Sequence, residues 1–274
     1  MRLCYLYDNF NMFRLITAFK NYGAKASMVG CGHQHTVILT DDGEVLTCGV
    51  GEYGLLGTGS TVDALTPVPL ESLGKEDIVQ IAVGYDHTLA LTSQGTIYSW
   101  GRNNNGQLGH ADSYIDIYSM ENFPRLIDSD SVQGIENEND LREAGQWSNA
   151  CPIFTQVAAG NARSAAITTD GLLFVWGSRF SFQPKLIPKR LFNGKRVVKV
   201  GCGGDSGRSV IAAITDDGAL WTLGDSSSKL LGLKGVSGKQ PLPLQVAALG
   251  NKVRDISLGF GQHMVAFVEI TEDS

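Results

Sequence analysis

The chain of 274 residues is 43% hydrophobic and 18% charged, with 33 glycines and no Gly-X-Y period. Those proportions exclude disordered and collagen-like chains and point to many tight turns. The net charge of −6 is concentrated between Asp128 and Glu143, where six acids stand against the single base Arg142. The remainder is close to neutral and has no general attraction for nucleic-acid phosphates. The five cysteines, Cys4, Cys31, Cys48, Cys151 and Cys202, form no C-x-x-C pair. Reduced thiols in an intracellular protein are therefore expected, not a zinc site or a disulfide framework. No apolar run approaches the roughly 18 residues of a membrane span.

In chain order, residues 1–28 come first and admit two readings. Arg2, Arg14, Lys20 and Lys25 stand against one acid, Asp8, and Phe10, Phe13, Ile16 and Phe19 would share one helical face, as in a mitochondrial presequence. The preferred reading is a degenerate half-repeat, for reasons that emerge downstream. Residues 49–59, GVGEYGLLGTG, place Gly49, Gly51 and Gly54 at G-x-G-x-x-G spacing. A dinucleotide loop needs a helix opening directly behind it, and the Gly, Thr and Pro of LLGTGSTVDALTPVPL do not open one.

A unit recurs through the rest. GHQHTVILTDDGEVLTCG (32–49), GYDHTLALTSQGTIYSWG (84–101), GNARSAAITTDGLLFVWG (160–177) and GRSVIAAITDDGALWTLG (207–224) share one plan. Each has an apolar run ending in Thr, a turn closed by Gly43, Gly95, Gly171 or Gly218, and a second alternating run. A last copy, GFGQHMVAFVEI (259–270), holds only the first half. Turn chemistry of the TDDG kind between period-two runs predicts β-hairpins. The turn glycines are 52, 76 and 47 residues apart. A period near that size, built of short strands, predicts an all-β chain of β-propeller blades and not a helical solenoid.

The most regular copy, residues 84–109, ends in WGRNNNGQLG and carries His87, Thr88, Trp100, Gly101, Gly106, Gln107, Leu108 and Gly109. This pattern resembles the regulator of chromosome condensation (RCC1-like repeat) family, over about residues 29–270. Gly49 and Gly54 fall where Gly101 and Gly106 stand, so they are blade glycines and the nucleotide-loop reading is rejected. The resemblance implies an RCC1-like β-propeller over residues 29–274. It also implies a ring closed by pairing strands from the two chain ends, with Tyr5, Tyr7, Asn11 and Leu15 at the places of Tyr98, Trp100, Asn104 and Leu108. About five repeats are visible where the family usually has seven blades, so a smaller ring and an incomplete piece of a larger one both stay open.

For function, the resemblance implies a non-enzymatic protein–protein interaction scaffold with no catalytic residue, no metal and no cofactor. One alternative is a guanine-nucleotide exchange factor for a Ran-like small GTPase. Another is a mitochondrial member acting on an organellar GTPase or a ribosome. A protein partner is expected, with no small-molecule substrate, no membrane and no direct DNA binding, since the chain lacks the basic tail of the chromatin-bound member. The expected location is cytoplasm or nucleus, or mitochondria if residues 1–28 are a presequence.

Two groups of residues are candidates for partner contact. The family's GTPase-facing residues lie partly in the variable positions of the G-x-x-H-T loops, here His33, Gln34, Tyr85, Asp86, Asn161 and Ala162, with Gln262 in the shifted last copy. The second group sits in an insertion, about residues 118–145, carrying Asp128, Asp130, Glu136, Glu138 and Asp140. It is read either as a docking loop on a rigid scaffold or as a solvated loop. His35, His87 and His263 occupy equivalent points of different repeats, so they are expected to be dispersed and bonded to neighbouring backbone, not gathered on a metal. Trp100, Trp176 and Trp221 are expected to pack between blades. The stretch GDSG (204–207) mimics a serine nucleophile but has no partners for a triad and is rejected.

Overall fold

The computed structural model describes residues 4–6, 13–15, 24–112, 115–128, 132, 152–178, 180–205, 208–225, 231–236, 238–259 and 264–269. Strands β1 (Cys4–Leu6) and β2 (Phe13–Leu15) form a hairpin. Four antiparallel four-stranded blades follow in chain order. Blade 1 is β3 (Ala26–Cys31), β4 (His35–Thr40), β5 (Val45–Gly49) and β6 (Ala64–Pro69). Blade 2 is β7 (Ile78–Val83), β8 (His87–Thr92), β9 (Ile97–Arg102) and β10 (Met120–Leu126). Blade 3 is β11 (Phe154–Ala159), β12 (Arg163–Thr168), β13 (Leu173–Gly177) and β14 (Ser181–Ile187). Blade 4 is β15 (Val197–Asp205), β16 (Arg208–Thr215), β17 (Leu220–Asp225) and β18 (Lys239–Gln245). A two-stranded sheet, β19 (Val253–Leu258) and β20 (Met264–Val268), comes last.

The turn chemistry acts as the sequence expects. In the first TDDG turn the Thr40 hydroxyl donates to Asp42 Oδ1 at 2.5 Å and accepts from the Glu44 backbone N–H at 2.9 Å, while Gly43 takes φ +87°. Thr215 and Asp217 repeat the arrangement at 2.7 Å. A side chain at the glycine would be strained in that left-handed conformation.

The core lies between blades. Val37, Leu39 and Val45 of blade 1 meet Ile78, Ile81, Ala90 and Trp100 of blade 2. At the next seam the Phe154 and Phe174 rings meet edge to face at 5.6 Å beside Leu89, Leu91 and Trp176. At the third, Phe192 and Trp221 do the same, also at 5.6 Å. Because blades press on both faces of the second strand, β8 is buried at all six positions and its HTLALT reads as one apolar run. Each fully buried aliphatic side chain contributes roughly 1.5–3 kcal/mol, so the seams hold the blades in their order.

The first strand of each blade packs on its successor: β3 on β7, β7 on β11, β11 on β15 and β15 on β19. These are the inner strands. Strand alternation then sorts the connections onto two rims. The upper rim carries the β3–β4, β7–β8 and β11–β12 loops together with the loops after each third strand, long in blades 1, 2 and 4 and short in blade 3. The lower rim carries the tight glycine turns and the links from one blade to the next. Among the described residues no ladder joins β20 to β1, so the expected pairing of the chain ends is not observed: β1–β2 and β19–β20 stand as separate sheets. The inner strand of the last sheet packs on β15 and β16.

The insertion also differs from expectation. Met120–Leu126 form β10, the outer strand of blade 2, paired with β9 through Met120↔Arg102 and Leu126↔Tyr98. Pro124 sits in this strand, which pairs on one side only, so its missing N–H disrupts no second ladder. The extra length therefore begins after Leu126, in the lower-rim link between blades 2 and 3.

Candidate functional site

The G-x-x-H loops of the upper rim are built from inside outward. His87 is fully buried and its Nε2 meets Ser164 Oγ of the next blade at 2.9 Å; His35 Nε2 meets Thr88 Oγ1 at 3.1 Å. The expectation of histidines bonded to backbone is thus corrected: each reaches a hydroxyl on the following blade. Burial lowers the His35 pKa to about 4 and the His87 pKa to about 3, so both rings are neutral near pH 7. The glycine three residues earlier makes room for the ring, because a Cβ on Gly84 would lie 2.2 Å from His87 Cε1 and 2.6 Å from the Gly160 carbonyl. Loop backbones continue the linkage, with His33 N–H donating to Tyr85 O at 2.9 Å and Tyr85 N–H to Gly160 O at 3.0 Å.

On this frame the variable loop residues converge. The His33 and Tyr85 rings stack across the blade 1–2 seam, 4.2 Å apart and 12° from parallel. Asp86 pairs with Arg102 at 3.4 Å, and the Arg102 guanidinium lies over the Tyr53 ring at 4.4 Å. Burial is the largest influence on Asp86 and raises its pKa, with the Arg102 charge opposing it. Tyr53 is held in the left-handed region, φ 56°, inside the short 3-10 turn Glu52–Gly54. That turn belongs to the G-x-G-x-x-G stretch, which is a blade loop here. A partly buried ion pair over an aromatic ring adds about 1 kcal/mol of order to the surface.

Gln34 is exposed on this rim, and Asn161 and Ala162 are half-buried on the β11–β12 loop. Asp128 is exposed but leaves β10 on the lower rim, so the two candidate groups face opposite ways. Asp130, Glu136, Glu138, Asp140, Gln262 and His263 lie outside the described residues. Among the described residues no three His, Cys, Asp or Glu side chains gather as metal ligands. Trp100 and Trp176 pack between blades and donate from Nε1 to Leu55 O at 3.2 Å and Gln107 O at 2.9 Å, both in the loop of the preceding blade. Trp221 stands two residues earlier in its strand, at the place of Tyr98 and Phe174, and donates to Thr215 Oγ1 at 3.2 Å.

Sequence reading missed Arg102 and Tyr53. A signal existed for Arg102, which directly follows Trp100-Gly101 where Val50 and Ser178 follow Gly49 and Gly177. It also missed a recurring clasp. The hydroxyls of Thr47, Ser99 and Thr222 donate to the carbonyls of Leu56, Leu108 and Leu231 at 2.9, 2.8 and 2.8 Å, tying each long upper-rim loop to its blade.

Stacked blades with a rigid seam and a varied loop rim define the protein as a repeat-built β-propeller. Residues 42–91 and 94–137 match the regulator of chromosome condensation (RCC1) repeat, as do residues 78–107 and 154–183 in a second form of it. The chain belongs to the RCC1 repeat family. It is 34% identical to the human E3 ubiquitin-protein ligase HERC2 over 80% of its length but 4% of the ligase. It is 34% identical to the Arabidopsis thaliana ultraviolet-B receptor UVR8, over 89% of this chain and 51% of the receptor. The Bos taurus secretion-regulating guanine nucleotide exchange factor is 30% identical over 77% of this chain and 43% of that protein. Among solved structures, human WBSCR16 superposes with a TM-score of 0.76 at 24% identity, covering 97% of this chain and 62% of that one. The chain thus spans about half the length of the plant receptor it matches.

Proposed function

We propose that the protein is a non-enzymatic interaction propeller that receives a protein partner on its upper rim, over the seam of blades 1 and 2. The supporting observation is the convergence of His33, Tyr53, Tyr85, Asp86 and Arg102 from two blades into one half-exposed patch. Tyrosine and arginine held in place by the scaffold are the residue types that dominate interface energetics. Affinity capture with the wild type and a Tyr85→Ala/Arg102→Ala double variant tests it. Recovery of a specific partner should fall by about tenfold or more in the variant. Undiminished recovery of every partner by a folded double variant refutes the reading.

A second reading, exchange activity on a small GTPase, is favoured by the likeness to the bovine exchange factor. On the scaffold reading, nucleotide release from purified Ran stays at its basal rate when this protein is added. Catalytic acceleration at substoichiometric protein puts the exchange reading first.

A further inference from the structure

The seam between blades 3 and 4 departs from the two before it. At the place of His35 and His87 stands Arg163, 9% exposed, on the same face of its strand as the seam residues Ala165 and Ile167. At the earlier seams a neutral imidazole meets the hydroxyl of Thr88 or Ser164. Here the matching position is Ile211, which offers no hydroxyl; Ser209, two residues before it, bonds to Ser178 Oγ at 3.1 Å. Ser178 directly follows Gly177, the register partner of Arg163.

Among the described residues the buried guanidinium has no hydrogen-bonded counter-ion. Its Nε has no partner, and among the described residues it donates no hydrogen bond to a protein acceptor. Its surroundings are the Phe180 ring, 5.6 Å from the guanidinium carbon, the Cys202 thiol, and the Asp225 carboxylate, whose charge acts on it. Cys202 supplies no charge, since burial pushes its pKa up to about 12. An arginine keeps its charge, and a buried cation that lacks a hydrogen-bonded anion costs several kcal/mol. A guanidinium fork is a donor set suited to a planar or tetrahedral oxyanion.

We infer that the upper end of the blade 3–4 seam is an oxyanion slot in which Arg163 receives a carboxylate or phosphate carried by the docking partner. This rests on the upper rim being the docking face. It names the partner's chemistry there: an acidic side chain, or a phosphate group, aligned with a neutral polar patch two seams away.

The test uses the whole chain and two probes. Thermal unfolding and calorimetric titration are run with sodium phosphate against sodium chloride at equal ionic strength. They are then run with a tri-glutamate peptide against its tri-glutamine counterpart. Wild type should be stabilised in a saturable manner by phosphate, by the glutamate peptide or by both. Arg163→His, which installs the residue of the other seams and so keeps the fold, should weaken the response by about tenfold or more. Arg163→Lys, which keeps the charge but loses the fork, should fall between. A response to phosphate alone assigns the slot to phosphate; a response to peptide alone assigns it to carboxylate. No response of wild type to either probe, or an equal response in Arg163→His, overturns the inference. If the probes bind yet Tyr85→Ala/Arg102→Ala keeps every partner, the docking reading fails and the slot stands. If the probes are silent yet that variant loses its partner, only the slot fails.

Discussion

His35, His87 and His110 set a pH dependence that follows chiefly from burial. Their pKa values in the fold are lowered to about 4, 3 and 4, while in the unfolded chain each lies near 6.5. Above pH 6.5 both states hold neutral rings and stability is complete. As pH falls below 6.5 the unfolded chain takes up protons that the fold refuses, so each histidine removes about 1.4 kcal/mol per pH unit until its folded pKa is reached. Urea unfolding at pH 7, 6 and 5 should show the decline, and His87→Gln should reduce the slope by about 1.4 kcal/mol per unit. An unchanged slope in that variant would mean His87 is already protonated in the fold. Gly84 is the companion test. Its Cβ would fall 2.2 Å from the His87 ring, so Gly84→Ala should cost roughly 1–3 kcal/mol by displacing the ring from Ser164. Gly259→Ala, where nothing lies within 4 Å, should be close to neutral in the same melting experiment. The H and the G of the G-x-x-H motif were legible in the sequence. The hydroxyl that receives each histidine was not, because it lies 53 residues away for His35 and 77 for His87.

Within a blade, the element most exposed to failure is the long loop after the third strand. Ser99 holds it at two points, the Leu108 carbonyl at 2.8 Å and His110 Nε2 at 3.0 Å, all buried. Ser99→Val removes the hydroxyl and leaves both partners unsatisfied, so a loss of roughly 1–3 kcal/mol for each orphaned group is expected in chemical denaturation. Blade 3 carries Val175 at the equivalent position, and there the loop between β13 and β14 is only a few residues long. Valine is tolerated where no loop carbonyl needs a donor. A near-neutral Ser99→Val would show that the clasp adds nothing to loop order. Strand patterning found the hairpin of each repeat and the between-blade packing of Trp221, but not its place two residues before that of Trp100. A shift of two residues along a strand keeps the same face, so alternation reports which side a residue faces and not how deep it sits. The outer strand β10 escaped notice for a related reason: MENFPRL has no alternation, since an edge strand is covered on neither face consistently.

At the scale of the molecule, the four blades separate function into two rims. The acidic insertion leaves blade 2 on the lower rim, whereas Tyr85, Asp86, Arg102 and Arg163 belong to the upper one. Deleting residues 133–145 should therefore leave upper-rim capture, and its sensitivity to Arg102→Ala, unchanged. Loss of the same partners by the deletion would place docking on the insertion instead. The sequence by itself determined the hairpins, their glycine turns, the repeat and the propeller class, because turn chemistry and period-two alternation act between near neighbours in the chain. Only the tertiary structure decided which loops share a rim, that Arg102 lies over Tyr53, that Tyr85 stacks on His33, and that Arg163 is buried in a seam with its Nε unpartnered among the described residues. Those contacts join residues of different blades or distant loops, and their geometry is set by how the inner strands pack, a property of the assembled seams that no single repeat encodes.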